Sequence, residues 1–191
     1  MAITTFDQLE RLPMRKSARR VLGDANYGEI GDTLYEPPTV FLSHKTDPKD
    51  WRWVQTIAGI LERKNAVPYV DRLDKRMITM EPTGMGDHFR DRIEECGRLI
   101  VVLTGETRRS RWVPWELGIA DGMFGPTRAA VWLVQHDPRR PWWLDQEYFA
   151  RYPTIEWVHR QGDATWRWCV RRPADGRFWT LSQWLRRGDG A

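Results

Sequence analysis

One glutamate of this chain lies in a setting where α/β sheets bind ligands. Residues Ser110 to Gly118 read Ser-Arg-Trp-Val-Pro-Trp-Glu-Leu-Gly and follow the apolar run Arg98 to Thr104. A strand that passes through a short polar loop into a helix is typical of an open α/β sheet, and such sheets bind ligands beyond the carboxyl ends of their strands. Trp112 and Glu116 are four residues apart, so an indole and a carboxylate project from the same side of the helix. We therefore expect Glu116 to face a ligand.

Short apolar runs and helical patterns alternate along the chain, which indicates a parallel sheet with right-handed crossovers. The runs that favour strands are Thr39 to Ser43, Ala66 to Asp71, Arg98 to Leu103, Ala129 to Val134 and, at an edge, Thr154 to Val158. We predict an α/β fold with a flavodoxin-like open parallel sheet of about five strands and helices on both faces.

Three helices are expected between these strands. The first has Asp47 as N-cap with Pro48 in its first turn and continues to about Lys64. After a long polar loop through Gly84, the second helix buries Phe89, Ile93 and Cys96. The third helix carries Trp112 and Glu116 and ends near Phe124.

Prolines and changes in composition divide the sequence into three regions. Pro37 and Pro38 separate an N-terminal extension, residues 1–38, from the main domain, residues 39–160. Residues 161–191 form a C-terminal extension rich in Trp and Arg, which we expect to pack on the main domain. In that extension Trp166 to Val170 and Arg177 to Leu185 favour a β-hairpin followed by a short helix, capped by Ser182 or Thr180.

Composition narrows the function classes. The net charge is +4, and its short arginine pairs come without a zinc-finger spacing, an RNP-like motif or a long basic helix, so nucleic-acid binding is not expected as the main role. Cys96 and Cys169 form no metal-ligand pattern and suit a reducing compartment. The first residues lack the charged and apolar regions of a signal peptide, and no stretch approaches the ~20 apolar residues of a membrane span. These observations predict a cytoplasmic protein without a metal.

Other α/β functions need residues that this chain lacks. A receiver domain requires acids after the first strand and a phospho-acceptor Asp after the third strand, where this chain has Ser43-His44-Lys45 and Thr104-Gly105-Glu106. A P-loop or a Rossmann fingerprint requires glycines at the first turn, and neither can be built from residues 43–47. Flavin and dinucleotide redox cofactors are therefore not expected.

Three motifs in register resemble those of a bacterial TIR (Toll/interleukin-1 receptor-like) domain. Val40 to His44 is similar to the first strand of that family, and Val67 to Asp71 to the second strand, which leads into the BB loop. The stretch Ser110 to Gly118 is similar to its Ser-x-Trp-x-x-x-Glu motif. The resemblance spans about residues 39–158 and does not cover the two extensions.

The resemblance implies an enzyme that cleaves NAD⁺ between ribose and nicotinamide, with Glu116 as the catalytic residue and NAD⁺ as substrate rather than cofactor. One carboxylate can suffice because nicotinamide leaves as a neutral molecule and needs no acid to protonate it. An ionised Glu116 would stabilise the oxocarbenium-like centre, and Trp112 would help to exclude water. The product is ADP-ribose, a cyclic ADP-ribose isomer or a conjugate.

By the same resemblance, Trp112 and five further residues would bind the substrate: Ser43, His44, Lys45, Tyr69 and Asp71. Lys45 is a candidate contact of the diphosphate, and Tyr69 is a candidate stacking surface. Structural roles stay open for several of them. Ser43 and Asp71 could cap strand ends or loops, His44 has no evident partner in the sequence, and Tyr69 could pack under the loop.

The resemblance also implies self-association, in which one subunit's BB loop approaches the cleft of the next subunit. Here that loop, Arg72 to Gly84, is long and lacks the compact proline-glycine tip of many signalling TIR domains. The expected setting is bacterial anti-phage defence of the Thoeris type, with a downstream effector that reads the product. The alternatives are a non-catalytic protein-interaction module and an enzyme similar to a nucleoside deoxyribosyltransferase.

Overall fold

The structure, a computed structural model, describes residues 4–5, 37–135, 147–159 and 165–186. Of the N-terminal extension predicted for residues 1–38, the structure describes residues 4–5 and 37–38. Within them, no helix is both long and apolar enough to cross a lipid bilayer.

The described strands form one sheet, and its centre is parallel. The strands are β1 Thr4–Thr5, β2 Thr39–Ser43, β3 Val67–Tyr69, β4 Leu99–Leu103, β5 Ala129–Gln135, β6 Thr154–His159, β7 Trp166–Arg171 and β8 Phe178–Thr180. Their order is β3-β2-β4-β5-β6-β7-β8, with β1 beside β5. Strands β2 to β6 pair with one another in parallel. The predicted α/β fold, with a flavodoxin-like and mostly parallel sheet, is confirmed, and the described sheet has more strands than the five expected.

Helices cover both faces of this sheet. The described α-helices are α1 Trp51–Arg63, α2 Arg76–Thr79, α3 Pro82–Cys96, α4 Trp112–Phe124 and α5 Leu181–Arg186. Successive side chains of a strand point to opposite faces, so Leu42 and Ile100 pack with α1 and α5, whereas Phe41 and Val101 pack with α3 and α4. The central strand β4 is buried along its whole length, which accounts for its unbroken apolar sequence.

The first helix begins later than the sequence predicts. It starts at Trp51, and its N-cap is Asp50 rather than Asp47. The Asp47 carboxylate instead accepts a hydrogen bond from the backbone N–H of Lys49 at 2.9 Å, and the Asp47 carbonyl accepts one from Asp50 at 3.1 Å. An aspartate that bonds the backbone two residues ahead favours a turn, so Pro48 lies in a turn before the helix.

The segment expected as a long polar loop up to Gly84 is largely helical. It contains a 3₁₀ turn at Asp71–Leu73, helix α2, and the first turn of α3 from Pro82. The cause is Asp74, whose side chain is fully buried and accepts hydrogen bonds from Tyr69 and Arg76, both at 3.0 Å. These bonds hold the pKa of Asp74 at about 2, although burial opposes them.

The C-terminal hairpin extends the sheet. Strand β7 is antiparallel to both β6 and β8, so β6 is an inner strand and not the edge strand that the sequence suggests. Helix α5 follows directly, and the Thr180 hydroxyl accepts the Gln183 N–H at 3.2 Å while the Gln183 side chain accepts the Thr180 N–H at 2.9 Å. This capping box assigns the cap to Thr180 rather than Ser182.

Tryptophan contacts join the hairpin to the parallel strands. The Trp168 ring on β7 lies 4.6 Å from Trp132 on β5 and 4.9 Å from Trp157 on β6, measured between ring centroids. Trp132 and Trp168 are buried, whereas Trp166 at the start of β7 is 47% exposed. The hairpin therefore shares the core of the sheet.

We predict that Trp168→Ala lowers the free energy of unfolding by about 3–5 kcal/mol, because it removes a buried indole between two others. Trp166→Ala on the same strand should cost at most about 1 kcal/mol, because that ring is half exposed. Urea denaturation of both variants measures the difference. Equal losses would contradict the placement of the hairpin in the shared core.

Candidate active site

A cavity of about 520 Å³ opens at the carboxyl ends of the strands, beside the start of α4. Its wall is built by residues that follow β2, by the 3₁₀ turn after β3, and by the loop and first turns of α4. Phe89 on α3, with Met77 and Met85, makes the apolar part. The cavity occupies the edge of the sheet at which open α/β proteins bind ligands.

Glu116 is the buried acid of this cavity. It lies on the second turn of α4, is 3% exposed and forms part of the cavity wall. The hydroxyl of Ser43, the last residue of β2, donates a hydrogen bond of 2.5 Å to Glu116 Oε2. Ser43 is itself 1% exposed, so it supports the carboxyl group from inside the protein.

The surroundings of Glu116 favour its neutral form. Burial raises the pKa of Glu116 from its ordinary value of 4.5 to about 8, the Ser43 hydrogen bond partly opposes this shift, and the nearby Asp71 charge adds to it. The sequence interpretation treats this residue as an ionised carboxylate. In the protein alone at pH 7, the structure makes it largely a protonated acid.

Trp112 lies on the same cavity as Glu116, as their spacing on the helix predicts. Its ring is 43% exposed and meets Phe89 edge-on at 5.2 Å between centroids. On its other side it meets Trp115 edge-on at 5.4 Å. Two neighbouring aromatic rings hold the orientation of Trp112, so it offers a fixed apolar wall one turn from the acid.

His44 has partners that the sequence did not reveal. Its Nδ1 lies 3.1 Å from the Leu42 carbonyl oxygen and 3.6 Å from Asp71 Oδ1. Since a carbonyl only accepts, Nδ1 carries a hydrogen. Nε2 is buried and has no hydrogen-bond partner within the described residues. Both His44 and Asp71 contribute to the cavity wall.

Lys45 also lines the cavity, but acids already surround its ammonium group. Its Nζ is 3.4 Å from Glu106 Oε2 and 3.8 Å from Asp47 Oδ2. A cation between two carboxylates is a weaker anion site than its sequence position suggests, because an incoming phosphate would compete with both of them.

Tyr69 is not part of the cavity wall. It is 1% exposed and packs against Phe41, with 5.2 Å between ring centroids. Its hydroxyl donates to Asp74 Oδ2 at 3.0 Å and lies 3.2 Å from His88 Nε2. Burial and the neighbouring Asp74 raise the pKa of Tyr69 far above its ordinary value. Of the two roles considered for Tyr69, the structure shows the structural one: the ring packs under the loop and is not available to stack on a ligand.

The sequence interpretation missed three arginines that line the cavity: Arg72, Arg109 and Arg111. Arg109 and Arg111 flank Ser110 in the motif, so their spacing could have been noticed. The position of Arg72 could not be predicted, because the segment that holds it was expected to be a long polar loop. Within the described part of the chain, no cluster of His, Cys, Asp and Glu is arranged to hold a metal ion.

No protein-family model matches this chain. The chain is 26% identical over 145 residues to a protein of Bacillus cereus (strain MSX-D12) named Probable 3' cyclic ADP-D-ribose synthase ThsB'. The alignment covers 73% of this chain and 70% of that relative.

Proposed function

We propose that this protein is an NAD⁺-cleaving enzyme, a glycohydrolase or cyclase, with Glu116 as its catalytic residue. The observation that carries the proposal is one buried carboxyl group on the wall of a cavity of about 520 Å³. The name of the distant relative supports it, since forming a cyclic ADP-ribose requires loss of nicotinamide from NAD⁺. The resemblance of residues 39–158 to TIR domains supports it independently.

The reaction breaks the bond between ribose C1′ and the pyridinium nitrogen, and the electron pair leaves with neutral nicotinamide. The remaining ribosyl group has oxocarbenium character, which an ionised carboxylate stabilises. Water then attacks C1′ to give ADP-ribose, or a hydroxyl group of the same molecule attacks to give a cyclic product. In both routes the nucleophile releases one proton.

The positive charge of the substrate explains how Glu116 becomes ionised. A pyridinium group beside the carboxyl favours the ionised form, so the proton of Glu116 leaves to solvent as the substrate enters. Ser43 stabilises the resulting carboxylate through its hydrogen bond and fixes the orientation of the group. Trp112 supplies an apolar wall that limits water beside the developing charge.

We also propose that the active form is self-associated and acts in a defence pathway whose effector reads the product. Two exposed indoles, Trp112 and Trp115, support self-association, with Leu73 exposed on the segment after β3. The same exposed aromatic pair would serve the second candidate, a non-catalytic interaction module. Turnover distinguishes the two, because only the enzyme needs the acid of Glu116.

We predict that Glu116→Gln lowers nicotinamide release by about a hundredfold or more, because the amide cannot take up the negative charge. Glu94→Gln, at an exposed position on α3 outside the cavity, is the matched control and should keep full activity. Release of nicotinamide from NAD⁺ at high protein concentration is measured by chromatography. Full activity of Glu116→Gln would remove the catalytic assignment.

The activity should follow the ionisation of Glu116. We expect kcat/KM for NAD⁺ to rise about tenfold per pH unit up to about pH 8 and then to level off, because kcat/KM reports the pKa of the enzyme without substrate. Ser43→Ala removes a hydrogen bond that lowers this pKa, so its profile should move to higher pH. Ser110→Ala, whose hydroxyl accepts the Val113 N–H instead, should leave the profile in place. A profile independent of pH between 6 and 9 would contradict this role.

The same group should make folding stability depend on pH. The pKa of Glu116 is about 8 in the folded chain and near 4.5 when unfolded, so the folded state holds a proton that the unfolded state loses. Relative to Glu116→Gln, the free energy of unfolding should fall as pH rises from about 4.5 to about 8, by at most about 1.4 kcal/mol per unit, and stay level above. Urea titrations of both proteins across this range test the sign. A constant difference would contradict the raised pKa.

A further inference from the structure

The rim of the cavity carries two cations that no described acid neutralises. Arg72 and Arg111 are exposed and line the cavity, and neither forms an ion pair with a described carboxylate. Lys45 and Arg109, on the same rim, do form ion pairs, because both lie within 3.6 Å of the Glu106 carboxylate. Asp71 also lines the cavity, next to Arg72 in the sequence. The four cations of the rim still exceed the described acids around them, and Arg72 and Arg111 are the two outside any described ion pair.

The topology places these two side chains on either side of one strand end. Strand β2 lies between β3 and β4, and its end supplies His44 and Lys45 to the cavity. Arg72 follows β3, and Arg111 precedes α4 after β4. An anion above the end of β2 would be reached from both sides.

Arg111 and Glu116 share the cavity. Arg111 is the N-cap of α4, Glu116 lies on the second turn of that helix, and both line the cavity wall. A ribose with C1 at Glu116 therefore lies in the same cavity as Arg111, which is a candidate partner for a phosphate on its 5-oxygen.

Arg72 contacts an aromatic ring beside the cavity. Its guanidinium carbon lies 4.7 Å from the centroid of the Trp51 ring. This cation–π contact restricts the positions of the Arg72 side chain. The fork of N–H groups of a guanidinium matches the oxygen atoms of a phosphate.

We propose that Arg72 and Arg111 bind the diphosphate of a pyridine dinucleotide and so select phosphorylated over unphosphorylated pyridinium ribosides. The assignment rests on the proposed function for the position of the ribose at Glu116. The sequence predicts Lys45 as the contact of the diphosphate, but two acids already share its charge. The proposal assigns this contact to the two arginines instead.

The test measures ligand binding and turnover separately. ADP-ribose affinity is measured by calorimetry, and kcat/KM is measured for NAD⁺ and for nicotinamide riboside, which has no phosphate. Arg72→Gln and Arg111→Gln should each weaken ADP-ribose binding and NAD⁺ turnover about tenfold, while riboside turnover stays unchanged. Arg90→Gln, at an exposed position on α3 outside the cavity, removes the same charge and should change neither ligand by more than about twofold.

Arg72→Lys is a second variant, since Arg72→Gln also removes the stack on Trp51. It should retain part of the affinity because it keeps the charge but not the fork, and thermal melting checks the fold of every variant. The proposal is overturned if the wild-type protein does not bind ADP-ribose, if both glutamine variants bind it normally, or if Arg90→Gln loses as much. Arginine-dependent ADP-ribose binding without nicotinamide release supports the diphosphate site and rejects the catalytic proposal. Nicotinamide release together with unchanged ADP-ribose binding in both glutamine variants supports the catalytic proposal and rejects the diphosphate site.

Discussion

The hydrogen bond from Ser43 to Glu116 connects the two elements on which the candidate site depends. It joins the end of β2 to the second turn of α4, across the carboxyl edge of the sheet. Both side chains are almost completely buried, so loss of this hydrogen bond would be costly. The sheet and the helix are thereby fixed relative to each other at the point where the cavity opens.

Holding an acid in this position costs stability. A carboxyl group with a single hydroxyl donor cannot replace the hydration of its ionised form, so folding favours the proton. An apolar residue would suit this interior better. Local energetics that conflict with packing are expected at functional sites, where charge is needed only when a ligand is present. A cation bound in the cavity would relieve this conflict, and the pyridinium group of the proposed substrate would supply one.

The sequence predicts the elements better than it predicts the connections. Strands β2 to β5 and helices α3 and α4 follow from apolar runs and helical spacing, and the spacing alone brings Trp112 and Glu116 to one cavity. The turn at Asp47 and the helical segment after β3 depend on side-chain hydrogen bonds of aspartates, which apolar spacing does not reveal. Asp74 also contacts His88, a more distant residue that no local pattern indicates. For the same reason the sequence could not show the protonation of Glu116, which is set by burial.

Asp74 and Glu116 are both buried acids, but Asp74 is ionised and Glu116 is neutral. Their hydrogen-bond donors explain the difference. The Asp74 carboxylate receives hydrogen bonds from Tyr69 and Arg76 and lies 3.1 Å from His88 Nε2, so it stays ionised. It thereby anchors the segment that begins with Asp71 and Arg72. Glu116 has one neutral donor and stays protonated. Ionic partners thus surround Asp74, next to the segment that supplies Asp71 and Arg72 to the cavity, whereas Glu116 has no cationic partner among the described residues. Under the proposed function, the cation that ionises Glu116 is the bound substrate.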